Sequence, residues 1–285
     1  MKNLKFYIII PAYNEEQFIN KTLQSLLNQT LLPKRIVVVN DNSEDATFEV
    51  VNAFEENYEI VTQMVIQTTS EHQPGSKVIR AFQQGLSQLD SNYDVLCKFD
   101  ADLIFPEDYL EKLESIYKNE PSTGMVGGFC YIQKEEDWVK ENLTNDDHIR
   151  GAIKSYRKQC YEQIGGLAPA MGWDTLDEIK ASYYGWKIKT VPDLKVKHLK
   201  PTGISYQKKS NQKQGVAFYQ MRYGFVLTLI ASLKLAFRKK QPRLTLAYMV
   251  GYFSAVSQNL PYFLTASQGK YLRNKRWKGI TKKLF

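Results

Sequence analysis

Residues 7–29 read YIIIPAYNEEQFINKTLQSLLNQ, and the fold turns on how this stretch is parsed. Ile8, Ile9 and Ile10 make a buried strand that runs straight into Pro11-Ala12-Tyr13-Asn14-Glu15-Glu16. Apolar residues then recur at helical spacing. A plain connection would use Gly and Ser. A proline, an aromatic ring and two carboxylates at a strand end instead suit a loop that holds a nucleotide.

The same alternation continues outward for two hundred residues, the mark of an α/β sheet with crossover helices. Strands are predicted at Phe6–Ile10, Arg35–Val39, Glu59–Thr68, Val95–Phe99, Met125–Ile132 and Lys187–Val191. Helices are predicted at Glu15–Leu27, Ala46–Phe54, Lys77–Leu89, Pro106–Tyr117, Ser155–Gln163 and Leu176–Tyr184. The 106–117 helix begins with Pro106 in its first turn and with Glu107 and Asp108 at its positive dipole end. Open sheets of this kind place ligands beyond the carboxyl ends of their strands. There the chain puts PAYNEE, then VVVNDNSED, then KFDADLIFPEDYL.

Each loop has its own chemistry. Tyr13 offers a ring for base stacking, and Asp41 is an acceptor that can take a ring N–H. Asp41, Asn42 and Ser43 also suit capping of the following helix. Asp100 and Asp102 bracket Ala101, and two carboxylates so close repel unless a divalent cation neutralises them. A solvated acidic loop is the plainer alternative.

Composition bounds the rest. The chain has 285 residues, 43% of them hydrophobic, enough for a sizeable core. Three widely spaced cysteines, Cys97, Cys130 and Cys160, suit reduced thiols in a cytosolic protein and not a disulfide framework. No secretory leader is read at the N-terminus. The net charge of +8 conceals a division. Residues 194–285 hold 19 Lys and Arg and no Asp or Glu, whereas the preceding residues set 19 basic against 30 acidic. The tail therefore calls for an anionic partner. Its apolar segments, Val216–Phe237 and Leu244–Leu264, are long enough to cross a bilayer. Arg222 and Lys234 interrupt the first; Ser254, Ser257, Gln258, Asn259 and Pro261 interrupt the second. Helices lying on an anionic membrane surface fit this mixture better than spanning helices do. Packing on the catalytic domain or on a dimer partner is the plainer reading. Apolar segments interleaved with charge argue against nucleic acid as the partner.

With GWDTLDEIKASYYGWKI and PGSKVIRAFQQGL added in order, the chain resembles the inverting glycosyltransferases of family 2 over roughly residues 4 to 205. The resemblance implies the GT-A fold, a Rossmann-like mixed sheet flanked by helices. Here it would be followed by a basic, apolar helical tail from residue 206 to 285. It also implies a nucleotide-diphosphate sugar as donor, Mg²⁺ or Mn²⁺, and displacement with inversion. By position, Pro11, Ala12, Tyr13 and Glu15 would shape the base and ribose pocket, with Asp41 on the base edge. Lys77 and Arg80 would lie near the diphosphate. The segment from Gly75 to Gly85 is longer than the common family pattern, which makes that correspondence looser. Asp100 would approach ribose or sugar, Asp102 would ligate the metal, and His198 would add a further metal or diphosphate contact. Asp177 takes the position of the general base, with Leu176 where relatives carry an acid; Asp174 and Glu178 are its neighbours. Arg150, Gly151 and Arg157 are candidates for the acceptor side. The QxxRW segment of processive polymerases is absent, since YQMRYG around Arg222 lacks its spacing and its Trp. The expectation is thus single-sugar transfer to a glycan or lipid-linked acceptor at the cytoplasmic face of the plasma membrane. A nucleotidyltransferase would open with a Gly-rich basic loop, and a dinucleotide dehydrogenase with GxGxxG, after the first strand; neither is present. A non-catalytic membrane-associated protein retaining the fold is the remaining alternative.

Overall fold

The computed structural model describes residues 3–67, 75–200 and 210–284. The expected end of the third strand at Thr68 and the expected domain boundary at 205/206 lie outside them. One mixed sheet organises the chain, in the order β3-β2-β1-β4-β8-β6-β9-β5. Its first half is parallel: β1 (Phe6–Ala12), β2 (Arg35–Asp41), β3 (Val61–Ile66) and β4 (Val95–Phe99). Both faces of β1, β2 and β4 are covered, which is why β1 and β2 read as unbroken apolar runs and not as alternating ones. Helices α1 (Ile19–Leu27), α2 (Thr47–Asn57) and α3 (Ser76–Ser87) make the crossovers.

Beyond β4 the sheet changes direction. β8 (Ile153–Arg157) is antiparallel to β4, with Phe99 opposite Ile153. β6 (Thr123–Lys134) follows, then β9 (Lys187–His198), and β5 (Leu103–Ile104) closes the edge with Leu103 opposite His198. A short β7 (Asp137–Lys140) hairpins onto β6. Helix α4 (Tyr109–Asn119) packs on β6. This arrangement gathers the carboxyl ends of β1, β2 and β4, the start of β8 and the end of β9 along one edge.

Several elements differ from the sequence reading. Ser155 and Tyr156 lie in strand β8, not in a helix, and only Lys158–Gln163 (α5) is helical. Both residues are fully buried between β4 and β6, so tertiary burial overrides the helical pattern. Helix α6 (Trp173–Tyr183) begins three residues earlier than expected, which places Asp174 in its first turn. Strand β9 extends through Pro192 to His198.

The expected apolar segment at 216–237 is broken in two. Helix α7 (Ser210–Gln220) ends at a bend where Arg222 and Gly224 have positive φ, and α8 (Phe225–Arg238) starts afresh. Arg222 fastens the bend: its Nε donates to the Leu264 carbonyl at 2.7 Å, and its guanidinium lies 3.6 Å from the Tyr262 ring centroid. The second segment forms α9 (Arg243–Ser257) and then leaves helix before Pro261. At about 1.5 Å per residue, α8 and α9 are about 21 and 22 Å long, short of a hydrocarbon core of about 30 Å. Among the described residues no helix is long and apolar enough to cross a membrane. Helix α10 (Ala266–Leu284) completes the tail and packs on α6.

Candidate active site

The first two loops are laced together. Asn14 N–H donates to Ser43 Oγ at 3.0 Å, Glu44 N–H to Asn14 Oδ1 at 2.9 Å, Glu15 N–H to Thr47 Oγ1 at 2.8 Å, and Ala46 N–H to Glu16 Oε2 at 2.8 Å. Asn14 and Asn42 both take the left-handed conformation that Asn tolerates, which lets each chain turn sharply off its strand. Pro11 pairs with Val39 and Ala12 with Asn40, so the two strand ends are level. Tyr13 stands 55% exposed above this pair, and Asp41 is half-buried at the end of β2.

Asp100 and Asp102 leave β4 with separate partners. Lys98, buried within β4, forms an ion pair with Asp100. Burial alone would raise the Asp100 carboxyl, but Lys98, His198 and Arg150 hold it below its ordinary value. Asp102 is buried against His198, its Oδ2 3.3 Å from Nε2. The other imidazole nitrogen lies 3.1 Å from Glu141 Oε2, and Glu141 pairs with Arg150 at 2.6 Å. Burial works against the charge on His198, yet its hydrogen bonds to Asp102 and Glu141 lift it to about 9. Burial likewise opposes ionisation of Glu141, but His198 and Arg150 carry its carboxyl down to about 2.

Glu15 reaches the same space. Its Oε1 pairs with Lys200 at 2.8 Å, while Oε2 is buried without a hydrogen-bond partner among the described residues. Burial raises the Glu15 carboxyl; Lys200 opposes the rise, and the charges of Asp102 and Asp100 add to it. An orphaned carboxylate oxygen facing two more acids, with an imidazole behind one of them, is a donor set that fits Mg²⁺ or Mn²⁺. Cys130, Glu141 and His198 form a second buried grouping of ligating atoms that shares the same imidazole. It is the poorer donor set: burial pushes the Cys130 thiol up to about 12, and Glu141 is committed to Arg150.

The indole of Trp173 joins these acids to the start of α6. Lys98 Nζ lies 5.5 Å from its ring centroid and Lys154 Nζ 5.8 Å. A Cβ on Gly75 would stand 2.8 Å from the Ala170 carbonyl and 3.2 Å from the indole, and one on Gly151 would stand 2.8 Å from it. The N-terminus of α3, which carries half-buried Lys77 and exposed Arg80, is therefore held beside that of α6.

The two aspartates of α6 differ sharply. Asp177, with a side chain only 1% exposed, has Lys154 Nζ on Oδ1 at 2.8 Å and the Tyr156 hydroxyl on Oδ2 at 2.5 Å. Burial raises its carboxyl to about 7, against the pull of Lys154. Asp174 is 30% exposed, and its Oδ2 lies 3.3 Å from His148 Nε2. Burial would raise Asp174, but His148, Lys154 and Arg150 hold it low. The expected base position, Asp177, therefore faces the interior and not the open edge. Arg157 also moves away from the site, bonding the carbonyls of Thr123, Tyr117 and Glu120 at the far end of β8. Sequence reasoning missed Lys98, Glu141, His148, Lys154 and Tyr156. The available signal was a lysine inside each of two apolar strands, VLCKF and AIKSY.

Residues 7–172 match the family model described as glycosyl transferase family 2. The chain belongs to that family. A protein named "Probable glycosyltransferase YdaM" from Bacillus subtilis (strain 168) is 42% identical over 221 residues, covering 67% of this chain and 50% of that one. The dolichol-phosphate mannosyltransferase of Pyrococcus furiosus is 31% identical over 136 residues, 47% of this chain and 36% of that one. This family 2 chain thus spans about half the length of YdaM and less of the archaeal enzyme. Among solved structures, the mannosyltransferase PcManGT from Pyrobaculum calidifontis, in complex with GDP-Man and Mn²⁺, superposes with a TM-score of 0.60. It has 17% identity, and the match covers all of this chain and 82% of that one. TarS of S. aureus in complex with UDP-GlcNAc gives 0.59 at 19% identity over 81% and 67% of the two chains. The fold is GT-A, as the family resemblance implied.

Proposed function

We propose that the protein transfers a single sugar, with inversion, from a nucleotide-diphosphate sugar to a hydroxyl of a glycan or lipid-linked acceptor. The observation that carries this reading is the convergence of Glu15, Asp100, Asp102 and His198 at the edge where the Tyr13 and Asp41 loops meet. Tyr13 and Asp41 would hold the base, with Pro11, Ala12 and the backbone of Glu15 shaping its floor. Lys77 and Arg80 would meet the diphosphate. Asp102 and His198, with Asp100 and Glu15 behind them, would hold Mg²⁺ or Mn²⁺, which when bound neutralises the departing diphosphate.

Asp174 replaces Asp177 in the role of base. A base needs an oxygen within hydrogen-bond reach of the acceptor hydroxyl, and both oxygens of Asp177 are engaged inside the protein. As the acceptor oxygen bonds to the anomeric carbon, the bond to the diphosphate oxygen breaks and the hydroxyl proton passes to the Asp174 carboxylate. Asp177 then acts as the anchor that holds Lys154 and so seats α6.

The tail supports work at an anionic membrane surface on the inner face of the plasma membrane. Phe225, Val226, Leu233, Phe237, Leu246 and Phe253 are all exposed on α8 and α9, alongside Arg238, Lys239, Lys240 and Arg243. A division near residue 205 between catalytic domain and tail belongs to the same proposal. The test is hydrolysis of a panel of nucleotide sugars with Mg²⁺ and with Mn²⁺. Turnover of one donor, abolished by EDTA and by Asp102→Ala, is expected; no turnover of any donor would leave the non-catalytic alternative standing.

A further inference from the structure

A second concavity opens on the other side of α6, lined mostly by residues that follow the family-matched stretch. It is a cleft of about 810 Å³ between α6, the 143–148 segment, the strand end at 187–189 and helices α8 and α10. This is within the range of about 300–1,000 Å³ typical of small-molecule sites. Its floor is apolar, built by Phe218, Tyr223, Leu227, Leu235 and Leu272. Its rim carries six Lys and Arg against three carboxylates. Two of those carboxylates are already matched: Glu120 pairs with Lys189, and Glu178 with Lys154 and His148.

The inner end of the cleft adjoins the site. His148 lines it and bonds Glu178 at 2.9 Å and Asp174 at 3.3 Å. Arg238, from the last turn of α8, donates to Asn145 Oδ1 at 3.3 Å, and the Asn145 backbone carbonyl accepts from the His148 backbone N–H at 3.2 Å. Arg238 thus sits beside the segment that carries His148, and His148 borders both the cleft and Asp174. An apolar floor with a basic rim, ending against the Asp174 site, matches one shape of ligand: an apolar chain, then a phosphate, then a polar head.

We infer that this cleft binds the acceptor, and that the acceptor is an amphiphile whose apolar tail lies on α8 and α10 and whose phosphate meets Arg238 and its basic neighbours. The inference rests on the transferase reading and names the acceptor class for it. A free anionic glycan would have no use for the floor, and a neutral lipid none for the rim.

The experiment titrates the full chain with farnesyl phosphate, farnesol and inorganic phosphate, following the emission of Trp186, which lines the cleft. Farnesyl phosphate is expected to bind at least roughly tenfold tighter than either fragment. Trp186→Phe should remove the signal. Ala231→Trp, which fills the cleft, and Arg238→Glu, at an exposed position, should each weaken binding roughly tenfold, with unchanged circular dichroism. Equal binding of farnesol, no binding of farnesyl phosphate, or wild-type affinity in a folded Arg238→Glu protein would overturn the inference. A parallel titration with UDP and GDP in Mn²⁺ separates the two readings. Nucleotide binding without farnesyl phosphate binding removes the cleft assignment alone, whereas the reverse removes the donor reading and leaves the cleft.

Discussion

Two buried lysines approach the Trp173 indole and serve different carboxylates. Lys98 and Lys154 both approach the ring, but the first serves Asp100 at the open edge and the second serves Asp177 inside. Asp174→Asn is expected to lower transfer by about 10²–10⁴-fold while nucleotide affinity stays near wild type, as measured by turnover and calorimetry. Asp177→Ala should instead lower stability, by on the order of 3 kcal/mol, because a buried lysine loses one of its two carboxylates; chemical denaturation reads this. If Asp174→Asn transfers normally, the base is elsewhere.

His148 gives a pH signature. Burial lowers its pKa, but hydrogen bonds to Asp174 and Glu178 win and raise it to about 9. The folded value therefore exceeds an unfolded value of about 6.5. The stabilisation is complete below that lower value and is lost as pH rises through 9. Melting temperature should accordingly fall between about pH 6.5 and 9, and His148→Gln should flatten that part of the profile. An unchanged slope in the variant would show that the imidazolium is not responsible.

At the scale of elements, the parallel half of the sheet was legible because nothing competes with its pattern. β1 and β2 are apolar runs closed by turn residues, and the structure returns them within two residues. β8 was not legible, because IKSYRKQCYEQ carries helical spacing and only the flanking strands β4 and β6 decide against it. The start of α6 was missed for a related reason. Trp173 precedes the expected helix at 176–184, yet it is buried, and Gly172 at φ 75 begins the helix ahead of it. That shift of three residues places Asp174 in the helix's first turn. His148 carried no sequence signal, since its partners come from a helix about thirty residues later.

Helices α7 and α9 cross at two glycines. A Cβ on Gly215 would lie 1.7 Å from the Tyr248 carbonyl oxygen, and one on Gly251 would lie 1.9 Å from that of Gln212. Both obstacles are backbone, so neither can swing aside. Gly215→Ala and Gly251→Ala should each destabilise the tail by about 1–3 kcal/mol, seen as an earlier transition on heating. A wild-type transition would mean that the helices separate without loss.

For the molecule as a whole, the division of charge read from the sequence coincides with a division of surface. Exposed apolar side chains concentrate on α8 and α9, with Phe237 at 86% and Leu246 at 71% exposure. Patches of this kind mark interaction sites. Phe237→Glu combined with Leu246→Glu should reduce sedimentation with anionic vesicles by roughly tenfold, whereas added salt should weaken binding only in part, because screening acts on the charges and not on the apolar face. Vesicle binding unaffected by the double change would place the contact elsewhere.

The bend at residues 221–224 is tied by groups forty to fifty positions later: the Leu264 carbonyl, the Tyr262 ring and Arg273, which donates to the Arg222 carbonyl at 2.8 Å. A chain truncated just short of Tyr262 would therefore keep α7 and α8 whole yet lose all three ties at once, leaving the crease between them to its own backbone.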